Sequence, residues 1–143
     1  MKIVKIERRH LPEVAELERL CFSEPWSERA LELLLTDAAL GYVCEIDGRV
    51  VGYVGMMLAY DEGQITNVAV HPDARRQGVG RALMEAVTKE ARARGLVQIA
   101  LEVRASNQAA ILLYERDGFA IAGKRPRFYR NPVEDAFVMI KAL

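Results

Sequence analysis

Two cysteines, two histidines and one tryptophan are all the chain has of those residues, and it carries no excess charge of either sign. Cys21 and Cys44 follow no metal-ligand or redox spacing, and His10 and His71 have no metal-like partners at useful spacing, so no metal site is assigned. Both thiols read as packing residues of a reducing compartment. Twenty basic residues balance twenty acidic ones, which leaves no global field to draw the protein to nucleic acid or to an anionic membrane. Long hydrophobic runs are also missing. The most apolar, "VVGYVGMMLAY" from Val50 to Tyr60, is far below the roughly 20 residues of a spanning helix, and "MKIVKIERRH" lacks a signal-peptide core. The expectation is a cytoplasmic protein with no membrane partner and no direct nucleic-acid partner. What remains, 51% hydrophobic and 28% charged over 143 residues, suits a single domain spanning residues 1–143 around a real core.

Periodicity orders the elements. "KIVKIE" alternates as a short strand, and Pro12 opens a segment where Leu11, Val14, Leu17 and Leu20 recur at helical spacing. Ser27 then predicts an N-cap for a second helix carrying Leu31, Leu34 and Leu35. Asp47-Gly48 suits a two-residue hairpin turn between "YVCEI" and "RVVGYVGMMLAY", and "DEG" marks a second turn before "QITNVAV". Helix, strand and helix follow. Leu83, Val87 and Ala91 line one helical face that stops at Gly95, "VQIALEVR" is a buried strand, and Ser106 or Asn107 caps a helix ending at "RDGF". Strands from about Phe119 and Ala136 close the chain, separated by the irregular "PRFYRNPVED". The predicted fold class is α/β (α+β), one mixed and mostly antiparallel sheet with helices on both faces.

The stretch "HPDARRQGVGRALMEAV" carries the first chemical signal. Gly78 and Gly80 permit backbone conformations that aim consecutive N–H groups into one concavity at a helix start, and Arg75, Arg76 and Arg81 add full charges to the positive end of the helix dipole. Such a nest suits a pyrophosphate. The Gly-Lys-Ser/Thr ending of the P-loop is absent and the glycine spacing is not that of the dinucleotide fingerprint. On its own the stretch also reads as a solvated basic turn.

Arg75-Arg76-Gln77-Gly78-Val79-Gly80 resembles the acetyl-CoA motif of the GNAT (GCN5-related N-acetyltransferase) superfamily, Gln/Arg-x-x-Gly-x-Gly/Ala between a strand and a helix. The blocks "LEVRASNQAAILLYERDGF" (Leu101 to Phe119) and "PWSE" (Pro25 to Glu28) are similar to its bacterial ribosomal-protein-alanine branch, and the likeness spans nearly the whole chain. The resemblance implies a bulged, splayed strand whose Val68, Ala69 and Val70 meet acetyl-CoA through main chain. It further implies that Arg76, Gln77, Gly78, Val79, Gly80 and Arg81 cradle the pyrophosphate, with Arg75 beside them as a cofactor-binding residue, and that the acceptor is a protein N-terminus, with a ribosomal protein as partner. In "RPRFYRNPVEDAFVM" the branch's paired tyrosines become Phe128-Tyr129.

Strand alternation puts Ile99, Leu101 and Val103 on one face and sends the Glu102 carboxylate to the other with Ala100 and Arg104. An N-terminal amine, of reference pKa about 7.7 to 8.0, must shed a proton before attack, and Glu102, directly or through water, is the candidate base. An ion pair with Arg104 or another arginine is the structural alternative. Tyr114, one turn beyond Ile111, is the candidate acid for a departing CoA thiolate, or an amphipathic core tyrosine with a backbone partner. Asn107 is a helix cap, a cofactor contact or both. Trp26 and Tyr129 are core, or walls of an acceptor cleft bordered by Glu24, Glu28, Glu134 and Asp135. The resulting expectation is an acetyl-CoA-dependent N-terminal acetyltransferase with catalytic residues Glu102 and Tyr114, acting by direct transfer without a metal. The rivals are a lysine or small-amine acetyltransferase and a non-catalytic acetyl-CoA sensor.

Overall fold

Alternation at the amino end gives strand β1, Lys2–Lys5, and Pro12 occupies the first turn of helix α1, Leu11–Cys21, where a missing N–H costs nothing. The computed structural model describes all residues from Met1 to Leu143. Ser27 Oγ accepts from the Ala30 N–H at 3.1 Å and opens α2, Glu28–Leu31, as its sequence predicts. That helix is shorter than expected. It tightens into a 3-10 turn over Glu32–Leu35, whose three-residue period stacks Leu31 and Leu34 on one buried side.

Strands β2, Ala39–Ile46, and β3, Arg49–Ala59, join through Asp47 and Gly48 at φ 50° and 77°, the positive-φ pair a two-residue hairpin requires. The next turn lies earlier than the "DEG" signal, at Tyr60 and Asp61, and Glu62 and Gly63 already belong to β4, Glu62–Val70. Gly63 serves close packing instead of the turn, since a Cβ there would meet Met56 Sδ at 2.5 Å. Helix α3, Val79–Ala93, strand β5, Gln98–Arg104, and helix α4, Gln108–Arg116, follow in the expected order. The closing strands, β6, Ala120–Tyr129, and β7, Glu134–Ala142, reach well into the stretch read as irregular. An edge strand tolerates Pro126, and the register shift between Arg125 and Tyr129, with Arg127 at φ 53°, absorbs it.

The seven strands lie in the order β1-β2-β3-β4-β5-β7-β6, every pair antiparallel except β4 with β5. Period-two alternation divides the core between the two faces. Cys44, Val54, Ile99, Leu101 and Met139 pack against Leu83, Val87 and Ala91 of α3 and Ile111 of α4, whereas Val43, Tyr53 and Ala69 pack against α1 and the α2 region. No helix is long and apolar enough to cross a membrane. Leu83 is fully buried within the larger cluster. Leu83→Ala is therefore expected to cost about 2–5 kcal/mol, read as a lower denaturant midpoint at unchanged m-value.

One irregularity creates the site. β4 pairs with β5 only at Glu62↔Gln98, Gly63↔Ile99 and Gln64↔Ala100, although both strands continue. Across the other edge of β4, Asn67 faces Gly55 and Ile65 faces Met56, which leaves Thr66 as the extra residue of a bulge. The bulge bends β4 away from β5 and a cleft opens between them.

Candidate active site

At the end of β4 the chain turns through His71 into α3. Gly78 is the N-cap of α3 at φ 79°, and no side chain caps the helix, so its first N–H groups remain available to a ligand. The second left-handed residue of the turn is Arg76, at φ 65°, and not Gly80. Gly80 is helical, and a Cβ on it would make only ordinary contacts with Val70 and Leu113, so neither the backbone conformation nor packing within the protein demands glycine there. Arg75 donates through Nε to the Val70 carbonyl at 3.2 Å, and Arg81 pairs with Glu85 at 3.3 Å on the surface. The Gln77 side chain folds back towards the Asp73 carbonyl at 3.4 Å, and Gln77 is the one residue of the expected cradle that does not line the cleft.

Between this turn, the end of β4 and α4 lies a cleft of about 840 Å³, walled by Val68, Ala69 and Val70 on one side and by Asn107 and Tyr114 on the other. Asn107 Oδ1 accepts from the Ala110 N–H at 3.1 Å, so this residue caps α4 and faces the cleft at once. Beyond Tyr114 a second cavity of about 740 Å³ fills the gap between β4 and β5. Glu102, Trp26 and Tyr129, scattered in sequence, meet there. Phe22, Val68, Asn107, Ala110 and Tyr114 line both spaces, so the two arms meet along these residues, Tyr114 among them. Cys44 is core as read, but Cys21 lines both arms, with Sγ 3.6 Å from the Val70 carbonyl.

Glu102 projects opposite Leu101 and Val103, as alternation predicts, and its ion-pair partner is Arg125 at 3.5 Å, not Arg104. Arg104 is committed elsewhere. Its guanidinium donates to the carbonyls of Arg130 and Pro132, each at 3.0 Å, meets Glu134 at 3.3 Å and lies 4.4 Å from the Tyr129 ring centroid. One arginine thus fastens the β6–β7 turn and Tyr129 beside the second cavity. Burial, then the Glu102 charge, pushes the Tyr129 phenol up to about 12. The Tyr114 phenol is likewise pushed up to about 12, chiefly by burial, and no protein group takes the partner role expected for its hydroxyl. Its ring meets Phe119 edge-on at 5.8 Å.

The expected acidic border is mostly absent. Hydrogen bonds from Ser106 hold Glu134 below the ordinary carboxylate range, and the Arg127 N–H with Lys124 does the same for Asp135. Neither is free for a ligand. Glu28 stands in the exposed first turn of α2, and only Glu24 lines a recess, of about 350 Å³, with Trp26 and Tyr129. Sequence reasoning missed Glu18, fully buried and bonded to Trp26 and Asn67, which line the second cavity. Its carboxylate accepts from the Trp26 N–H at 2.8 Å, Asn67 Nδ2 at 2.9 Å and the Tyr53 hydroxyl at 2.5 Å. The signal was present, because Glu18 interrupts the apolar stripe formed by Leu11, Val14 and Cys21.

A basic, uncapped helix terminus at one end suits an elongated anion, and a carboxylate and a proton-bearing phenol flank the place where a second molecule would meet it. Comparison with known proteins agrees with this chemistry. The chain is 37% identical over 139 residues to the ribosomal protein bS18-alanine N-acetyltransferase of Escherichia coli K12, covering 96% of this chain and 94% of that protein. The protein of that name in Salmonella typhimurium is 37% identical over 131 residues, covering 90% and 88%. The crystal structure of the Escherichia coli ribosomal-protein-S18-alanine N-acetyltransferase superposes with a TM-score of 0.92 at 36% identity, covering 99% of this chain and 92% of that one. Ard1 from Thermoplasma volcanium superposes at 0.88 with 26% identity, covering 99% and 97%. With residues 11–119 also matching its sequence pattern, the chain belongs to the Acetyltransferase (GNAT) family.

Proposed function

We propose that residues 1–143 act as one unit that transfers the acetyl group of acetyl-CoA to the α-amine of a protein N-terminus, in the cytoplasm, with the alanine-first end of a small-subunit ribosomal protein as the acceptor. The observation that carries this reading is the junction of an anion-binding arm and a second arm at Tyr114. Acetyl-CoA supplies an acyl group already activated as a thioester. The free N–H groups at Gly78–Gly80 and the charges of Arg75, Arg76 and Arg81 hold its pyrophosphate. The unpaired edge of β4 at Val68–Val70 and the Asn107 side chain orient the pantetheine arm. Gln77 contributes through its main chain.

Glu102 receives the proton that the incoming ammonium must lose near neutral pH, where a free α-amine is still partly charged. Tyr114 keeps its own proton until the sulfur departs and donates it there. Trp26 and Tyr129 wall the acceptor arm that receives the first residue of the peptide. Glu24 alone of the acidic border meets a basic residue further along the peptide.

An alanine-first peptide with a free amine is expected to exceed both its N-terminally blocked, lysine-containing counterpart and free polyamines in kcat/KM. Best acetylation of the blocked lysine peptide or of a polyamine would replace the N-terminal reading with a side-chain or small-amine acetyltransferase. Tight acetyl-CoA binding without turnover on any amine, bS18 protein included, would favour a sensor.

A further inference from the structure

Three donors converge on the one carboxylate of Glu18, and two of them belong to residues that line the acceptor arm, Trp26 and Asn67. Trp26 offers its backbone N–H and Tyr53 its hydroxyl, but Asn67 has a choice. An asparagine amide presents an oxygen at one end and an NH2 at the other, and a half-turn about its last bond exchanges them. An ionised carboxylate only accepts, so the NH2 end of Asn67 must face Glu18, as it does at 2.9 Å. The oxygen is then the end turned away from the buried network, on a side chain that borders both the recess of about 350 Å³ and the cavity of about 740 Å³.

We infer that Asn67 Oδ1 accepts a hydrogen bond from the incoming amino terminus, and that Glu18 is the positioning residue that keeps the amide oxygen outward. This rests on the acceptor arm receiving an amine, as proposed above. A donor-rich substrate end, an ammonium or amine followed by a peptide N–H, matches an acceptor oxygen and is repelled by an NH2. The location fits the task. Asn67 directly follows the bulge residue Thr66, where β4 leaves its neighbour and its side chains turn into the cleft. Burial, the largest influence, raises the Glu18 carboxyl above its ordinary value, and the Tyr53, Trp26 and Asn67 donors act against that rise, so the orientation of Asn67 rests on the three donors that meet one carboxylate.

Kinetics of four proteins test this: wild type, Glu18→Gln, Asn67→Ala and the double variant, each on whichever amine the wild type acetylates best. Asn67→Ala is expected to raise acceptor KM by about 10-fold or more, as suits a hydrogen bond to a charged group, with kcat and acetyl-CoA affinity changed by less than about 2-fold. In Glu18→Gln the amide oxygen keeps the Trp26 N–H, a backbone donor that cannot reverse, so the new NH2 faces Tyr53, whose hydroxyl can turn to accept, and Asn67, whose amide must then turn its own NH2 outward; acceptor KM should again rise, by about 3-fold or more. Combined with Asn67→Ala, the Glu18→Gln change should add nothing.

Unchanged acceptor KM in Asn67→Ala overturns the inference. So does a Glu18→Gln effect that persists in full without Asn67, since it then acts through the Trp26 loop. Should Asn67→Ala fail to fold by circular dichroism, Asn67→Ser carries the same comparison. A wrong acceptor class shows in the wild-type ranking of amines, whereas a wrong role for Asn67 shows in the variant-to-wild-type ratios.

Discussion

Tyr114→Phe is expected to slow acetyl transfer by about 10²-fold or more while acetyl-CoA affinity stays unchanged, the pattern of a lost proton donor and not of a lost binding contact. Tyr114 stands where the two arms of the cleft meet, and its hydroxyl is free of protein partners. The substitution removes only that oxygen. Phenylalanine keeps the edge-on contact with Phe119 at 5.8 Å, so thermal stability should barely move. A phenol pushed up to about 12 remains protonated at both pH 7 and pH 9, so the wild-type to variant ratio should be equal at the two. A variant that retains the wild-type rate in single-turnover assays would take Tyr114 out of the mechanism. A ratio that collapses between pH 7 and pH 9 would show that the phenol ionises in that range, contrary to its burial.

Features set by neighbours in the chain were legible beforehand. The Ser27 and Asn107 caps, the Asp47-Gly48 hairpin and the outward face of Glu102 depend on a few consecutive residues, and local propensity and alternation decide them. Partner choice across the sheet was not legible. Glu102 pairs with Arg125 on the edge strand and not with Arg104, because Arg104 is drawn to the carbonyls of a turn 26 and 28 residues away. Glu134 and Asp135 resembled a free acidic border in sequence, but the fold spends them on Ser106, Arg104, Lys124 and Arg127. Glu18 is the clearest case. Its partners Tyr53 and Asn67 come from β3 and β4, and only the closed sheet brings them to α1.

The same reasoning separates the two glycines of the anion turn. Both read alike in sequence, yet Gly80 continues a helix while Gly78 carries the left-handed conformation. A motif with two glycines therefore contains two different requirements. The position within the turn must tolerate φ 79°, and the position after it, if the proposed cofactor lies against it, need only be small.

Gly78→Val is accordingly expected to weaken acetyl-CoA binding by about 10- to 100-fold, the loss of one or two charge-assisted hydrogen bonds from the helix terminus. A Cβ at Gly78 meets nothing within 4 Å, so the damage does not come from a clash within the protein. It comes from the backbone. A β-branched residue resists φ 79° at a cost of about 1–2 kcal/mol, and the turn can relieve that strain by rotating, which disperses the N–H groups that must converge on a pyrophosphate. Gly95, just beyond the other end of α3, provides a matched control: its φ is 76°, a Cβ there also meets nothing within 4 Å, and it does not line the cleft. Gly95→Val should therefore lose comparable stability in denaturant melts while binding acetyl-CoA as the wild type does. Calorimetric titration of both variants decides the matter. Equal affinities for the two would mean that the turn at Gly78 does not hold the cofactor, whereas a deficit confined to Gly78→Val assigns the loss to the geometry of the anion turn and not to general destabilisation.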